Sequence, residues 1–214
     1  MKIVDCIQGS PEWHAARCGR VTASRVADIM RKIKSGGVSA SRNTYMGELV
    51  AERLSGMVSD GFKSKAMEWG SETEDQGRDF YSFMKNVGPA KVGLVIHPTI
   101  EMAAASPDSL IGDDGLLELK CPNSATHIAS LKGAPIDPDY MTQMQWQMAC
   151  TGRQWCDHVS FDPRMPADMQ LLVRRVPRDG VRIVELEREV VRFLAEVDES
   201  IAELVALYRM KDAA

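Results

Sequence analysis

The chain has 214 residues, of which 44% are hydrophobic and 26% charged, with 16 Gly and 10 Pro. This is the composition of a globule that can bury its own core, and it excludes disordered and fibrous classes. No apolar run reaches the length of a membrane span, and a charge interrupts the short apolar stretch at the N-terminus, where a signal peptide would keep its core. A cytoplasmic protein without membrane contact is expected.

Cys6, Cys18, Cys121, Cys150 and Cys156 are odd in number and form no C-x-x-C pair, so neither a disulfide framework nor a zinc knuckle has its spacing. Small buried thiols are expected instead. The net charge of −4 hides an uneven distribution. Between positions 31 and 65 there are seven basic residues (Arg31, Lys32, Lys34, Arg42, Arg53, Lys63, Lys65) against three acids; between 185 and 203, seven acids against two arginines. A polyanion would be drawn to the first region and repelled by the second. Read alone, the same charges describe two solvated helix faces.

In chain order, Thr22 and Ser24 precede Val26, Ile29, Met30 and Ile33, a helical period that predicts a capped amphipathic helix ending at Ser35-Gly36-Gly37. Met46, Leu49, Val50, Leu54 and Met57 predict a second helix. Ser71-x-x-Glu74 fits a capping box opening a third, which carries Phe80, Phe83 and Met84. Strands are predicted at 92–96 and 102–106. Residues 108–111 and 116–120 flank Gly112-Asp113-Asp114-Gly115, a hairpin signal. A polar helix follows at 124–131, then a helix at 140–150 with Met141, Met144 and Met148 inward and Tyr140, Gln143 and Gln147 on the opposite face. Strands at 157–161 and 170–176 and a long helix at 189–208 complete the pattern. The expected fold class is α/β, a single domain with a central mixed β-sheet flanked by helices.

The chemistry concentrates in Ser106-Pro107-Asp108 and Leu117-Glu118-Leu119-Lys120. In a strand of period two, Glu118 and Lys120 face one side and Leu117 and Leu119 the other. The hairpin returns Asp108 toward Glu118. Two carboxylates beside a lysine make a hard-oxygen site suited to Mg²⁺, and nearby metal charge would favour a neutral lysine able to activate water. The same spacing also fits a surface hairpin whose alternating charges face solvent.

Six pieces stand in order across residues 13–165: Trp13-His14-x-x-Arg17-x-Gly19-x-Val21-Thr22-Ala23-Ser24, Trp69-Gly70-x-x-x-Glu74, Ser106-Pro107-Asp108, Leu117-Glu118-Leu119-Lys120-Cys121-Pro122, Tyr140-Met141-x-Gln143-x-Gln145 and Asp162-Pro163-Arg164-Met165. In these the chain resembles the phage lambda-type alkaline exonucleases, the YqaJ-like viral recombinase family of the PD-(D/E)xK nuclease superfamily. The resemblance implies a restriction-endonuclease-like core at roughly 66–176, a DNA-end-binding part at 13–65 and a long helix at 189–210. It implies that Asp108, Glu118 and the Leu119 carbonyl hold Mg²⁺ (or Mn²⁺), that Glu74 completes the site or holds a second ion, and that Lys120 activates water. Glu74 also has its reading as a capping-box residue.

By the same resemblance, Arg17, Thr22, Ser24, Ser106 and Gln143 grip a terminal 5′-phosphate. Lys34 reaches the minor groove, Met67 is an apolar wedge, and Lys63 and Lys65 contact backbone phosphates. Independently, Thr22 and Ser24 at a helix start would offer free N–H groups, and Arg17 a charge-assisted fork. Ser24 also reads as a plain N-cap. The implied activity is 5′→3′ digestion of linear double-stranded DNA to mononucleotides by a homotrimeric ring in a bacterial host, leaving 3′ tails for a single-strand annealing protein. The acidic C-terminal helix is a candidate docking or subunit surface. Two other readings keep the fold. An iron–sulfur nuclease of the CRISPR-associated and RecB-like branch would need cysteines after Cys156. A non-catalytic DNA-binding module would have lost part of the intact set Glu74, Asp108, Glu118 and Lys120.

Overall fold

The structure, a computed structural model, describes residues 1–33, 37–58 and 65–208, without the side chains of 65–68 and 71. Its strands fall into two sheets where one central sheet was expected. β1 (Lys2–Val4), β2 (Val21–Thr22), β3 (Leu94–Ile96) and β4 (Ala103–Ala105) form the first, in the order β1-β3-β4-β2. β5 (Ser109–Ile111), β6 (Gly115–Lys120), β7 (Trp155–Phe161) and β8 (Leu171–Pro177) form the second, in sequence order. Both are mixed: β2 runs parallel to β4 and β6 parallel to β7, and the remaining pairs are antiparallel. The division falls at Ser106-Pro107-Asp108. Pro107 has no N–H to extend the ladder of β4, so the chain leaves the first sheet and enters the second.

The hairpin between β5 and β6 turns through Gly112, whose φ of 52° lies in the left-handed region. Its register sets Ser109 against Leu117 and Ile111 against Gly115, as the alternation of the sequence requires.

Helix α6 (Pro138–Thr151) lies between the two sheets and buries eight of its 14 residues. Its Trp146 and Cys150 join the core beneath the first sheet, with Val95, Ala103, Ala105 and Phe193. Its Met144 and Met148 pack with Leu116, Cys156 and Val176 on one face of the second sheet, and Met141 packs against their edge. Helix α4 (Lys65–Lys85) covers the opposite face, where Tyr81 meets Ile111, Leu117, Leu119, Val159 and Phe161. The approach is closest at Gly77, where a Cβ would stand 2.9 Å from Phe161 and 3.0 Å from Leu119. Since α4 begins at Lys65, Ser71 and Glu74 sit inside it. The expected capping box is therefore absent, because N-capping acts only in the first turn.

The remaining helices are α1 (Pro11–Arg17), α2 (Val26–Met30), α3 (Ala40–Ser55), α5 (Ser124–Leu131) and α7 (Gly180–Tyr208). Helix α2 is shorter than its period suggested. A 3₁₀ turn at Ala23–Arg25 precedes it, and neither Thr22 nor Arg25 makes a side-chain cap bond. Helix α7 starts well before residue 189, with Asp179 Oδ1 accepting from the N–H of Arg182 at 3.0 Å. Its inner face buries Ile183, Leu186, Val190, Phe193 and Val197, whereas Tyr208, expected on that stripe, is exposed. Part of its acidic face is spent internally: Glu196 pairs with Arg42 at 2.8 Å and Asp198 with Arg53 at 2.6 Å, which ties α7 to α3.

Candidate active site

Strand β5 is three residues long, so the upper half of β6 has no neighbour on that edge, and the acidic residues gather there. The Asp108 Oδ2 accepts from the N–H of Leu119 at 2.6 Å, which docks the start of β5 on β6. A strand residue sends its N–H and C=O out on the same edge, so the Leu119 carbonyl leaves toward Asp108 as well. Glu118, 1% exposed, points to the α6 side. Gln143 Nε2 donates to its Oε1 at 2.6 Å, Gln147 Nε2 to its Oε2 at 2.5 Å, and Lys120 Nζ lies 2.6 Å from Oε1. The Lys120 ammonium also stands 4.7 Å from the centre of the Tyr140 ring. The period-two reading of Leu117-Glu118-Leu119-Lys120 thus agrees with the structure, and the surface-hairpin alternative does not, because Glu118 is buried.

Burial and charge together shape the titration of the cluster. Burial, with the Glu118 and Glu74 carboxylates behind it, pushes the Asp108 carboxyl well above the usual carboxylate range, against the pull of Lys120 and the Leu119 N–H. Burial alone would favour neutral Lys120, but Glu118 and Asp108 outweigh it and raise its pKa. The neutral lysine expected above depends on metal charge; without a metal, the two carboxylates favour the ammonium form of Lys120. Glu74 lies on α4 and is ion-paired with Arg78, four residues on. Arg78 also pairs with Asp75 and donates to Ser109 Oγ at 3.0 Å, tying α4 to β5.

Among the described residues no three His, Cys, Asp or Glu side chains gather closely enough to hold a metal ion. Glu74, expected to complete the site or hold a second ion, is ion-paired with Arg78, although its charge reaches Asp108. Asp108, Glu118 and the Leu119 carbonyl fit a Mg²⁺ ion, which commonly uses one or two carboxylates and completes its shell with water and phosphate oxygens. Burial, and after it the neighbouring negative charge, favours a proton on Asp108, and a divalent cation would offset both. The same absence of gathered cysteines leaves the iron–sulfur reading without a site among the described residues.

A groove of about 1400 Å³ runs from Asp108 to the arginines of the N-terminal part; its lining includes Glu74, Arg78 and Asp108, and also Arg17, Arg20, Thr22, Ser24, Arg25, Glu48 and Glu52, but neither Glu118 nor Lys120. The Arg17 guanidinium lies 4.0 Å over the Trp13 ring and donates to Thr22 Oγ1 at 3.4 Å. Trp13 in turn donates from Nε1 to Ser106 Oγ at 2.9 Å, so Ser106 is joined to Arg17 through the indole. Arg25 lies 4.2 Å over Tyr45 and is neutralised by Asp28 and Glu48.

The expected pocket is only partly assembled. Arg17, Thr22 and Ser24 share the groove, but Gln143 is bound to Glu118 and is not part of its lining. The Thr22 N–H, expected to be free, donates to the Tyr45 hydroxyl at 3.1 Å, and Ser24 makes no capping bond. Lys34 and Lys63 lie outside the described residues. Lys65 and Met67 fall within α4, but their side chains are outside the described set. Arg78 and Trp13 had no role in the sequence reading. Glu74-x-x-x-Arg78 is a readable i, i+4 pair on a helix; the bond from Trp13 to Ser106 spans the chain and has no local signal.

A model of the YqaJ-like viral recombinase domain matches residues 12–154. Among solved structures, the alkaline exonuclease LHK-Exo from Laribacter hongkongensis is 47% identical, with a TM-score of 0.87, over 96% of this chain and 100% of that one. The structure of LHK-Exo in complex with dAMP matches equally well. A phage-related exonuclease from Haemophilus somnus 129PT, 16% identical with a TM-score of 0.66 over 86% of this chain and 96% of its own, shares the fold. No curated protein matches. With the family model spanning two-thirds of the sequence and a close structural relative spanning nearly all of it, the chain belongs to the YqaJ-like viral recombinase domain family.

Proposed function

We propose that this protein is a Mg²⁺-dependent exonuclease that digests the 5′-ended strand of linear double-stranded DNA. That it is a DNA exonuclease, and so a deoxyribonuclease, follows from its family and from its 47% identity to an alkaline exonuclease. The observation that supports the finer reading is the groove, whose lining joins Asp108 and Glu74 to Arg17, with Glu118 and Lys120 on the strand that Asp108 docks on. A strand end whose terminal phosphate rests on Arg17 would present its next phosphodiester to the acids, and cleavage there would release a 5′-mononucleotide. LHK-Exo has been solved with dAMP, a mononucleotide.

Asp108, Glu118 and the Leu119 carbonyl are the residues proposed to hold the ion, which when bound supplies Lewis-acid stabilisation of charge on the phosphate oxygens. Gln143 and Gln147 fix both oxygens of Glu118, so its carboxylate is oriented before substrate arrives. Lys120, an ammonium held by Glu118, orients an oxygen of the attacking water or of the phosphate. Arg17, its plane fixed on Trp13, is the proposed receptor of the terminal phosphate. A second ion would take Glu74 from Arg78. Ring assembly as a homotrimer, a single-strand annealing partner and a bacterial cytoplasmic setting rest on the family resemblance; native mass spectrometry tests the first. No helix among the described residues is long and apolar enough to cross a membrane.

The test uses a linear duplex phosphorylated at one 5′ end, with each strand labelled separately, in Mg²⁺ or EDTA. Loss of the phosphorylated strand from its 5′ end, in Mg²⁺ only, is expected. Internal nicking, 3′→5′ loss, or equal digestion in EDTA would refute the proposal.

A further inference from the structure

Two motifs singled out in the sequence, Trp69-Gly70 and Asp162-Pro163-Arg164, take no part in the chemistry above, yet they meet in space. The Arg164 guanidinium lies 4.6 Å over the Trp69 ring. Its Nε donates to Asp162 Oδ1 at 2.7 Å, and its Nη2 to Asp162 Oδ2 at 3.1 Å and to the Pro122 carbonyl at 3.2 Å. The carboxylate it grips is fully buried. The turn itself is braced: the Asp162 N–H donates to the Gln170 carbonyl at 2.9 Å, and Gln170 Nε2 donates to the carbonyls of Pro163 and Met165 at 3.1 and 2.9 Å.

Arg164 therefore joins three segments: α4 at Trp69, the chain just beyond β6 at Pro122, and the turn after β7. The Trp69 indole N–H is buried without a hydrogen-bond partner among the described residues, so the stacked guanidinium supplies the directional contact that holds the ring. Trp69 stands five residues before Glu74 on α4, about 7.5 Å along the helix axis. Pro122 stands two residues after Lys120. The guanidinium uses its Nε and Nη2 donors and its face at once, a combination that a lysine ammonium cannot reproduce.

We propose that Arg164 is a positioning residue of the acidic centre: through Trp69 it sets where α4, with Glu74, stands relative to the end of β6, with Glu118 and Lys120. The inference rests on the reading that these groups carry cleavage. Its test is built to fail separately from that reading.

Arg164→Met, Trp69→Leu and the double variant are compared with wild type in kcat and KM on duplex DNA, in Mn²⁺ affinity by electron paramagnetic resonance, and in Tm. Each single substitution is expected to lower kcat about tenfold and to weaken Mn²⁺ binding severalfold, leaving KM for duplex within about twofold. The double variant should lose no more than either single one, because both cut one connection. Trp69→Phe, which keeps an aromatic face, should retain most of the activity, and Arg164→Lys should not. These two variants carry the test if the larger truncations fail to fold. Unchanged kcat and Mn²⁺ affinity in folded Arg164→Met, or losses that multiply in the double variant, would overturn the proposal. If the wild-type protein shows no metal-dependent digestion, the functional reading fails, and the Mn²⁺ titration decides the role of Arg164 by itself.

Discussion

The His158→Phe substitution should reduce the protein's loss of stability between pH 7 and pH 5 by about 2 kcal/mol. His158 stands on β7 between Glu118 and Arg174 in register, 5% exposed, and neither ring nitrogen has a hydrogen-bond partner among the described residues. Burial lowers its pKa from 6.5 to about 4; Arg174 and Lys120 add to the depression, and Glu118 opposes it. The unfolded chain therefore takes up a proton near pH 6.5 that the folded chain refuses until about pH 4. In that window the unfolded state binds more protons, so stability falls as the pH is lowered and levels off below the folded pKa. A depression of about 2.5 units amounts to about 3 kcal/mol in full, and about 2 kcal/mol of it is lost between pH 7 and pH 5. Urea unfolding of wild type and His158→Phe at both pH values measures the difference. Groups common to both proteins, including Asp108 and His97, cancel in the comparison. A pH dependence of the variant within about 0.5 kcal/mol of wild type would show that the ring is not the buried neutral group described here.

Three further outcomes follow from the geometry. Lys120→Ala should abolish cleavage with little change in duplex binding measured by fluorescence anisotropy; loss of binding to the same degree would remove Lys120 from the chemistry. Arg17→Ala should slow digestion of 5′-phosphorylated ends far more than of 5′-hydroxyl ends, and equal slowing would place the terminal phosphate elsewhere. Gly77→Val drives a branched side chain into Phe161 and Leu119, already 2.9 and 3.0 Å from an added Cβ. It should cost about 1–3 kcal/mol in urea unfolding, and a variant as stable as wild type would mean that α4 can withdraw from the sheet.

The acidic edge was legible because its determinants are local. Period two assigned Glu118 and Lys120 to one face, and a turn of small and acidic residues returned Asp108 to their side. Helical period likewise marked Gln143 and Gln147 as a polar row opposite the methionines, although not that Glu118 would bury Gln147 completely. The misreadings share a different cause. β1 and β2 have three and two residues, too few to show a period, and exist only because β3 and β4 supply distant partners. Ser71-x-x-Glu74 imitates a helix start just after Gly70, although the helix is already under way. The true start of α7 was signalled by Asp179 as its cap, but Val181 and Val184 are exposed there and blur the stripe. The basic end of the groove depends on Trp13 bridging to Ser106, a contact between residues 93 positions apart that no window could contain.

The proline that separates the two sheets also bears on when the nuclease comes into being. Asp108 is the first residue beyond Pro107, so its place depends on the first sheet behind it and on β6 ahead of it. Glu118 takes its orienting amides from Gln143 and Gln147, and its strand pairs with residues up to Ser160. A chain growing from its N-terminus on the ribosome thus synthesises Glu118 before Gln143 and Gln147, which orient it, and before β7, which pairs with its strand. On the function proposed above, a chain terminated before Gln143 would carry Glu118 without the amides that orient it.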